Sequence, residues 1–427
     1  MASFGYRNGE LYCEDMSAAS LAQRFGTPLY VYARGALEQS FDRMAAAFAA
    51  LSPKICFSIK SCSNLHVLRL LRQRGAAFDA VSIGEVRRAI EAGAPAADIV
   101  FAGVGKTRAE IDTALQLGVG CFNVESAEEL AALRAAAAQA GLTVRAALRV
   151  NPDVDAHTHP YTTTGKDENK FGINLAAARD LFAAHRQDTH VRLTGIHLHI
   201  GSPVNTVEPY VETVGRALQL IDELAAQRVA IDLLNLGGGW GACYQDDDAP
   251  PIEAYADAIV PLLAGRNLDV HFEPGRSIAA DAGVLLARVV YRKASRSRRF
   301  VIVDTAMTDL IRPALYDAYH FLWPVSPGAA FTPASRRADL DMPGLEAVDV
   351  VGPVCESSDF LAKQRCLPPL APDDLLAVFS AGAYGFVMAS QYNSRPRAAE
   401  VLVHRDEARL IRRRETYDDL VAAEREV

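Results

Sequence analysis

The chain has 427 residues, more than one hydrophobic core normally serves, so we expect one large domain and a smaller one. Half of its residues are hydrophobic, which is ordinary for a globular protein. The formal net charge of −8 favours solubility and argues against nucleic acid as a main partner.

The seven cysteines include no pair spaced as Cys-x-x-Cys, so their spacing signals neither a zinc site nor a disulfide framework. The first residues do not run from a basic segment into an apolar one. No apolar run reaches the length that spans a bilayer. We therefore expect a cytoplasmic protein that does not bind membranes.

In chain order, the first fifty residues contain a predicted strand at 28–32 and an alanine-rich helix around 37–48. From residue 55 onward, short apolar runs alternate regularly with helical patterns. The eight apolar runs, which we predict to be strands, are residues 55–60, 78–81, 99–102, 121–124, 144–150, 195–200, 231–236 and 270–273. This alternation predicts a (β/α)8 barrel, a fold of about 250 residues, with a doubly wound open sheet as the alternative.

Three of the predicted helices begin with a capping box, in which a hydroxyl and a carboxylate satisfy open amide groups of the first turn. The pairs are Ser82 with Glu85, Thr107 with Glu110, and Ser126 with Glu129. Each pair follows a predicted strand, as the strand-to-helix order of a barrel requires.

The pattern changes after Arg276, where strand-like runs have few long helical stretches between them. These runs are residues 285–291, 300–303, 348–354, 375–379 and 399–404. Residues 324–343 are rich in Pro, Ala and Gly and are predicted to form a loop, and the last twenty residues an exposed helix. This half is predicted to be a separate β domain of sandwich or barrel type.

Lys60 ends the first apolar run of the barrel pattern. At the carboxyl end of a buried strand the stem of a lysine is desolvated and its amine points to the mouth of the fold, where its pKa tends to fall. A Schiff-base lysine needs this environment. The alternative is an ordinary surface lysine just past a strand.

Two glycine-containing turns follow the seventh and eighth predicted strands, namely Gly237-Gly238-Gly239 and Glu273-Pro274-Gly275-Arg276. Loops at these places commonly bind phosphate in a barrel, because glycine lets backbone N–H groups approach the oxygens, although a tight turn also explains a triple glycine. Glu273 could hold a pyridine nitrogen in its protonated form, or it could pair with Arg276.

His197 and His199 share one face of the sixth predicted strand, because side chains alternate along a strand. One ring could stack on a planar cofactor, and an H-x-H pair could equally bind a metal. The residues by themselves leave these two interpretations open.

The β domain adds further candidates. Cys355 beside Glu356 could be a proton donor next to a carboxylate, or an inert thiol. Arg312 could clamp a carboxylate with two hydrogen bonds, or form an ordinary salt bridge.

Together these motifs resemble the pyridoxal-phosphate-dependent decarboxylases of the alanine-racemase-like fold. This is the family of ornithine, diaminopimelate and arginine decarboxylases, and the resemblance is closest to its members that act on diaminopimelate. The matching stretches cover nearly the whole chain. They are residues 57–64, 78–93, 101–110, 122–129, 149–171, 197–202, 236–241, 273–277, 303–320, 351–363 and 381–403. The stretch 149–171 includes His159-Pro160-Tyr161 and ends in the motif Lys170-Phe171-Gly172. The most specific are Cys355-Glu356-Ser357, Gly382-Ala383-Tyr384 and Tyr392-Asn393-Ser394-Arg395-Pro396-Arg397.

The resemblance implies a barrel domain at 36–279 that binds pyridoxal 5'-phosphate, and a β domain of 1–35 plus 280–427 that takes in the N-terminal strand. It implies that Lys60 carries the cofactor, His199 stacks on its ring and Glu273 holds its ring nitrogen. Further cofactor contacts would be Asp79, Ser202, Gly238, Gly239, Gly275, Arg276 and Tyr384. The substrate contacts would be Arg276, Arg312, Tyr316, Glu356 and Tyr384.

The implied reaction is decarboxylation of meso-2,6-diaminopimelate to L-lysine, with Lys60, His199 and Cys355 as catalytic residues and no metal. Cys355 and Glu356 would reach the site from the partner subunit of a homodimer. Cys62, Pro203, Ser358 and the pair Thr305-Ala306 depart from the usual family pattern, and the first two leave the substrate preference open. The alternatives are a sister decarboxylase acting on ornithine, arginine, lysine or carboxynorspermidine, a non-catalytic regulator of the same fold, and a metal-dependent hydrolase using the two histidines.

Overall fold

The computed structural model describes residues 3–155, 170–246, 249–425 and 427, so the His159-Pro160-Tyr161 motif lies outside the described residues. The chain divides into two compact units. The barrel unit comprises Phe41–Gly241 and Ala249–Ser277. The β unit comprises Met1–Ser40, Ala242–Asp248 and Ile278–Val427.

The chain starts with a small antiparallel sheet and one long strand. These elements are β1 (Phe4–Arg7), β2 (Glu10–Cys13), β3 (Met16–Ser17), α1 (Ala18–Phe25), β4 (Leu29–Ala33) and α2 (Arg34–Ala47). All five residues of β4 are buried, as expected for a strand in the middle of a sheet.

The barrel unit alternates strands with helices. Its elements are β5 (Lys54–Ser58), α3 (Leu65–Gln73), β6 (Ala77–Ala80), α4 (Ile83–Glu91), β7 (Ile99–Phe101), α5 (Arg108–Leu117), β8 (Cys121–Val124), α6 (Ala127–Ala140), β9 (Val144–Asn151), β10 (Ile173–Asn174), α7 (Leu175–His185), β11 (Val191–His197), α8 (Glu208–Ala226), β12 (Leu233–Asn235), α9 (Ile252–Leu263) and β13 (Asp269–Phe272).

Eight parallel strands close into a barrel in the order β5-β6-β7-β8-β9-β11-β12-β13, because β13 pairs with β5 and β8 pairs with β9. The prediction of a (β/α)8 barrel is confirmed, and the open-sheet alternative is wrong. Two details differ. The sixth strand runs from Val191 to His197 and so stops before His199. The two-residue β10 beside β9 was not predicted, since it is too short to show a period.

The three predicted capping boxes are one full box and two partial ones. Thr107 accepts the N–H of Glu110, and the Glu110 carboxylate accepts the N–H of Thr107. Ser82 and Ser126 accept the expected N–H groups, but the glutamates of these helices instead bind the residue before the cap. Glu85 accepts the N–H of Val81, and Glu129 accepts the N–H of Glu125. Each glutamate still satisfies an open amide at the strand-to-helix turn.

Small and medium-sized side chains from six barrel strands form a buried cluster. They are Cys56, Ala77, Val100, Cys121, Ala147 and Leu233. Such a filled interior makes the barrel a packed core, which leaves the carboxyl ends of the strands as the place for a site.

The chain continues from the last barrel strand into a second set of elements. They are α10 (Arg276–Ala279), β14 (Gly283–Ala294), β15 (Arg299–Val303), α11 (Arg312–Tyr316), β16 (Leu322–Pro324), β17 (Glu346–Val351), β18 (Phe360–Leu367), β19 (Leu375–Val378), β20 (Ala399–His404), β21 (Glu407–Arg412) and α12 (Tyr417–Arg425).

In the β unit, nine strands form one sheet in which β4 lies between β14 and β20. The predicted incorporation of the N-terminal strand into the β domain is therefore confirmed. Strands β16, β18 and β21 were not predicted, because β16 ends on a proline and the other two carry charged residues at several positions. Among the described residues no helix combines the length and apolarity needed to cross a membrane.

Candidate active site

Lys60 lies just past β5, in the three-residue 3-10 turn Ile59–Ser61, because the strand ends at Ser58. Its Nζ is 2.6 Å from Oδ2 of Asp79, at the carboxyl end of the neighbouring strand β6. The Lys60 side chain is 35% exposed, whereas that of Asp79 is fully buried. The amine is thus held by a buried carboxylate at the barrel mouth while one side stays accessible.

The Asp79 carboxylate is the buried partner of this amine. Burial raises its pKa, although the charge of Lys60 opposes that effect. Ser58 Oγ lies 2.8 Å from the same Oδ2, and Oδ1 has no hydrogen-bond partner among the described residues. A buried carboxylate oxygen without a donor leaves room for one more hydrogen bond from a ligand.

Glu273, directly after β13, is 5% exposed, and its carboxylate accepts three hydrogen bonds from described residues. Asn123 and Asn235 donate to Oε1 at 2.9 and 2.7 Å, and His197 Nε2 lies 3.0 Å from Oε2. Burial alone would raise the pKa of Glu273, but His197, with help from Lys60 and Asn235, outweighs it and holds the pKa below its usual range. The group is therefore an ionised carboxylate inside the barrel.

His199 sits beyond the end of β11, and the N–H of Gly238 donates to its Nδ1 at 3.3 Å. Desolvation, followed by the nearby charges of Arg149 and Lys60, lowers the pKa of His199 well below its ordinary value. The imidazole is therefore neutral near pH 7, with its hydrogen on Nε2, and its flat face can contact a ring.

The triple-glycine turn packs too tightly for side chains. A Cβ on Gly238 would lie 2.1 Å from the carbonyl oxygen of Glu273, and one on Gly239 would lie 2.3 Å from that of Gly201. A Cβ on Gly275 would lie 2.8 Å from Oγ of Ser61, in the turn that carries Lys60. The two glycine turns and the lysine turn therefore meet at the same end of the barrel.

The Gly238→Ala variant is expected to lose roughly 1–3 kcal/mol of unfolding free energy, because the turn must move to admit the methyl group. Gly215→Ala is the matched control, since Gly215 lies in α8 and no atom comes within 4 Å of the place that its new methyl group would take. It should gain about 0.5–1 kcal/mol. Guanidinium-induced unfolding measures the unfolding free energy of both variants. Equal values for the two would contradict the tight packing of the turn.

Arg276 is 5% exposed, and its Nε–H donates to Oγ of Ser202 at 3.1 Å. Ser202 follows the sixth strand and Arg276 the eighth, so this bond links two loops of the barrel mouth. A hydroxyl and a guanidinium at one place, beside glycine turns, form a donor set suited to an anion.

In the β unit, Arg312 at the start of α11 is 7% exposed. Its Nε–H donates to Nε2 of His320 at 3.3 Å, and His320 Nδ1 lies 2.9 Å from the carbonyl oxygen of Phe379. The guanidinium lies 5.2 Å from the ring centre of Tyr244 and 5.8 Å from that of Tyr316. The structure thus brings Arg312 and Tyr316 together, on a frame of aromatic rings that fixes the guanidinium.

Cys355 and Glu356 are exposed in the β unit. The N–H of Cys355 donates to Oδ1 of Asn393 at 3.1 Å, and the Ser358 hydroxyl donates to Glu356 Oε2 at 2.8 Å. Hydrogen bonds from Ser358 and then Tyr392 lower the pKa of Glu356. Ser358, a departure from the family pattern, therefore contacts a predicted site residue directly.

Tyr384 has a left-handed backbone, with φ of 55°, in the loop after β19. The adjacent Gly385 leaves no space for a side chain, since a Cβ would lie 2.4 Å from the carbonyl oxygen of Ala381. A strained residue held by a tightly packed loop is common at functional sites.

The barrel unit brings nine of the predicted residues to the carboxyl ends of its strands: Lys60, Asp79, His199, Ser202, Gly238, Gly239, Glu273, Gly275 and Arg276. Sequence reasoning missed Asn123, Asn235 and His320. The two asparagines interrupt buried apolar strands, which is the signal that could have revealed them. His197 binds Glu273, and no cluster of three or more metal-binding side chains occurs in the described part of the chain.

Comparison with known proteins agrees with this geometry. Residues 34–280 match the model of the pyridoxal binding domain of pyridoxal-dependent decarboxylases. The chain is 49% identical over 424 residues to diaminopimelate decarboxylase of Pseudomonas aeruginosa, covering 99% of both chains. It is 47% identical over 414 residues to that of Neisseria meningitidis, covering 97% of this chain and 98% of the other.

Among solved structures, the Helicobacter pylori diaminopimelate decarboxylase complexed with L-lysine superimposes with a TM-score of 0.89 at 39% identity. The match covers 96% of this chain and 99% of the other. Sequence and fold agree over the full length of both chains. This chain therefore belongs to the pyridoxal-dependent decarboxylases, within the diaminopimelate decarboxylase family.

Proposed function

We propose that this protein decarboxylates meso-2,6-diaminopimelate to L-lysine and CO2, the last step of lysine biosynthesis, using pyridoxal 5'-phosphate. The observation that carries the proposal is the Lys60–Asp79 pair, 2.6 Å apart at the mouth of a barrel that matches a pyridoxal-binding family. The chain is 49% identical to a relative named diaminopimelate decarboxylase, over 99% of both chains, and this supports the choice of substrate.

The residues at the barrel mouth fit the cofactor chemically. Lys60 supplies a primary amine for its aldehyde, and Glu273 supplies an ionised carboxylate for its ring nitrogen. We propose that the backbone at Gly238, Gly239 and Gly275, with the Ser202–Arg276 pair, binds the phosphate. Tyr384 of the β unit is a further proposed cofactor contact. Asp79 Oδ1 offers a buried acceptor without a donor among the described residues.

When bound, pyridoxal phosphate supplies an electron sink for the electron pair left by the departing carboxylate. The chain supplies alignment and proton control. The neutral ring of His199 presents a flat apolar face without adding positive charge. The Lys60 amine would hold the aldehyde carbon of the cofactor, and Asp79, whose carboxylate lies 2.6 Å from that nitrogen, would orient it.

Arg312 selects the substrate in this proposal, together with Arg276 and Tyr316. The guanidinium of Arg312 is buried and oriented by His320, and its planar fork can bind a carboxylate with two hydrogen bonds that a ligand without a second carboxylate cannot accept. Glu356 and Tyr384 complete the proposed substrate contacts. A dicarboxylate such as diaminopimelate is therefore favoured over ornithine, arginine or lysine.

Cys355 and Glu356 are proposed to act in the site of the partner subunit of a homodimer, with Cys355 as proton donor. Both are exposed, which is consistent with groups that serve a neighbouring chain. We accordingly assign 36–279 as the cofactor-binding domain and 1–35 plus 280–427 as the domain that contributes to the shared site. The family-model match to residues 34–280 supports the first boundary.

A mixing experiment tests this sharing. Lys60→Ala and Cys355→Ala homodimers should each be nearly inactive, but dissociating and reassociating an equimolar mixture should restore about a quarter of wild-type activity. The fraction follows because half the dimers are mixed and each has one intact site. Mixing Cys366→Ala, an exposed cysteine of the same unit, with wild type is the control and should lose nothing. No recovery in the first mixture would refute shared sites.

The substrate assignment is tested by incubating the purified protein with pyridoxal phosphate and each candidate amino acid, then measuring CO2 and product. We expect lysine from meso-diaminopimelate and at least about a hundredfold lower kcat/KM with ornithine, arginine, lysine or carboxynorspermidine. Preference for one of these would make the protein a sister decarboxylase, and no turnover with any of them would favour a regulator. Cytoplasmic location is part of the proposal, and seven cysteines without a disulfide in the described part of the chain are consistent with it.

A further inference from the structure

Three side chains donate hydrogen bonds to the Glu273 carboxylate, and they come from three different barrel strands. Asn123 lies on β8, Asn235 on β12 and His197 on β11. Both asparagines are fully buried, and His197 is 2% exposed. Burying polar side chains on three strands is costly unless they serve the group at which they meet.

The acceptor count of the carboxylate is informative. An ionised carboxylate has about four lone-pair positions, two on each oxygen. Oε1 accepts from both asparagines, at 2.9 and 2.7 Å, and is filled. Oε2 accepts from His197 at 3.0 Å, so one position on Oε2 remains among the described residues. The cage formed by Asn123, Asn235 and His197 thus fixes the carboxylate and leaves one acceptor position for a ligand N–H.

The donors also determine where a shared proton resides. The two asparagines are neutral, so they stabilise the negative charge of Glu273 without supplying a fixed cation to cancel it. Each donated hydrogen bond makes the carboxylate a weaker base. A proton between Glu273 and a basic ring nitrogen would then lie on the nitrogen.

We propose that Asn123, Asn235 and His197 are positioning residues that keep Glu273 ionised and aimed, so that the ring nitrogen of bound pyridoxal phosphate stays protonated. The proposal rests on the proposed function, since it assigns Glu273 to that nitrogen. It also gives His197, the first histidine of the H-x-H pair, a role other than stacking or metal binding.

Asn123→Leu and His197→Leu test the proposal, because each removes one donor without adding charge. Asn123 is well suited, since its Oδ1 has no hydrogen-bond partner among the described residues and only the bond to Glu273 is lost. His197→Gln is the conservative variant, because its amide can still donate. His271→Leu, which removes a buried histidine from β13, controls for general loss of barrel stability.

The readouts are the ¹⁵N chemical shift of ring-labelled pyridoxal phosphate in the holoenzyme and the cofactor dissociation constant. Wild type, His197→Gln and His271→Leu should show a protonated ring nitrogen. Each leucine variant at the cage should move the signal toward neutral pyridine, weaken cofactor binding by roughly tenfold and lower kcat with little change in KM. The double variant Asn123→Leu/His197→Leu should show a larger change in the ¹⁵N shift and in cofactor affinity than either single variant.

An unchanged ¹⁵N signal and affinity in both cage variants would overturn the inference while leaving the proposed function intact. A wild-type protein that binds no pyridoxal phosphate would overturn both. If one leucine variant fails to fold, the other decides, because the two donors lie on different strands and bind different oxygens.

Discussion

Replacing Lys60 with alanine is expected to lower kcat for diaminopimelate decarboxylation by roughly a thousandfold or more, because no other group can take over the covalent attachment of the cofactor. In the structure the amine is held by Asp79 at 2.6 Å and remains one-third accessible. The variant should still bind pyridoxal phosphate through the glycine turns. Continuous CO2 release and a cofactor titration measure the two effects separately.

Lys54, on the strand that Lys60 follows, provides a matched control. Its side chain is 37% exposed, close to the 35% of Lys60, and it forms an ion pair of 3.1 Å with Asp98. It stands at the first residue of β5, away from the carboxyl end. Lys54→Ala should keep nearly full turnover. Equal losses in the two variants would mean that position 60 has no special chemistry.

Arg312→Ala is expected to reduce kcat/KM for meso-diaminopimelate by about 10²- to 10³-fold, mainly through KM, because a buried charge partner of the distal carboxylate is lost. Arg312→Lys should recover little, since an ammonium cannot reproduce the planar guanidinium that bonds His320 and lies over Tyr244. Steady-state kinetics with diaminopimelate and lysine as competing substrates measures the discrimination.

Arg292→Ala is the control for loss of an arginine from the β unit, because Arg292 is 39% exposed and pairs with Glu346 at 2.7 Å. Its kinetics should match wild type. If Arg312→Ala retained the full preference for diaminopimelate over lysine, another group would have to recognise the distal carboxylate.

The barrel was predictable because its signals are local. Buried parallel strands give short apolar runs, and caps such as Thr107 mark where each helix begins. The strand count predicted Lys60 at the carboxyl end of the first barrel strand. In the structure it lies in the 3-10 turn directly after that strand. In the β unit, β18 and β21 escaped prediction because charged residues interrupt their apolar pattern, although each strand pairs antiparallel with the strand before it.

The carboxylate cage could not be read from spacing, since Asn123, His197 and Asn235 are far apart in sequence and meet Glu273 only when the barrel closes. His320 is only eight residues from Arg312, but no motif connects them, because their contact depends on the turn after α11. Sequence motifs locate the side chains that act on ligands. The side chains that orient those groups are recognised only from buried hydrogen bonds in the structure.

The most direct test of the central claim is chemical labelling of the protein loaded with pyridoxal phosphate. Borohydride reduction followed by proteolysis and mass spectrometry should find the phosphopyridoxyl group on Lys60. Lys106, another barrel lysine, which is 1% exposed and bonded to Glu129 at 2.6 Å, should remain unmodified. A label on Lys106 or on any other lysine, with Lys60 unmodified, would contradict the account.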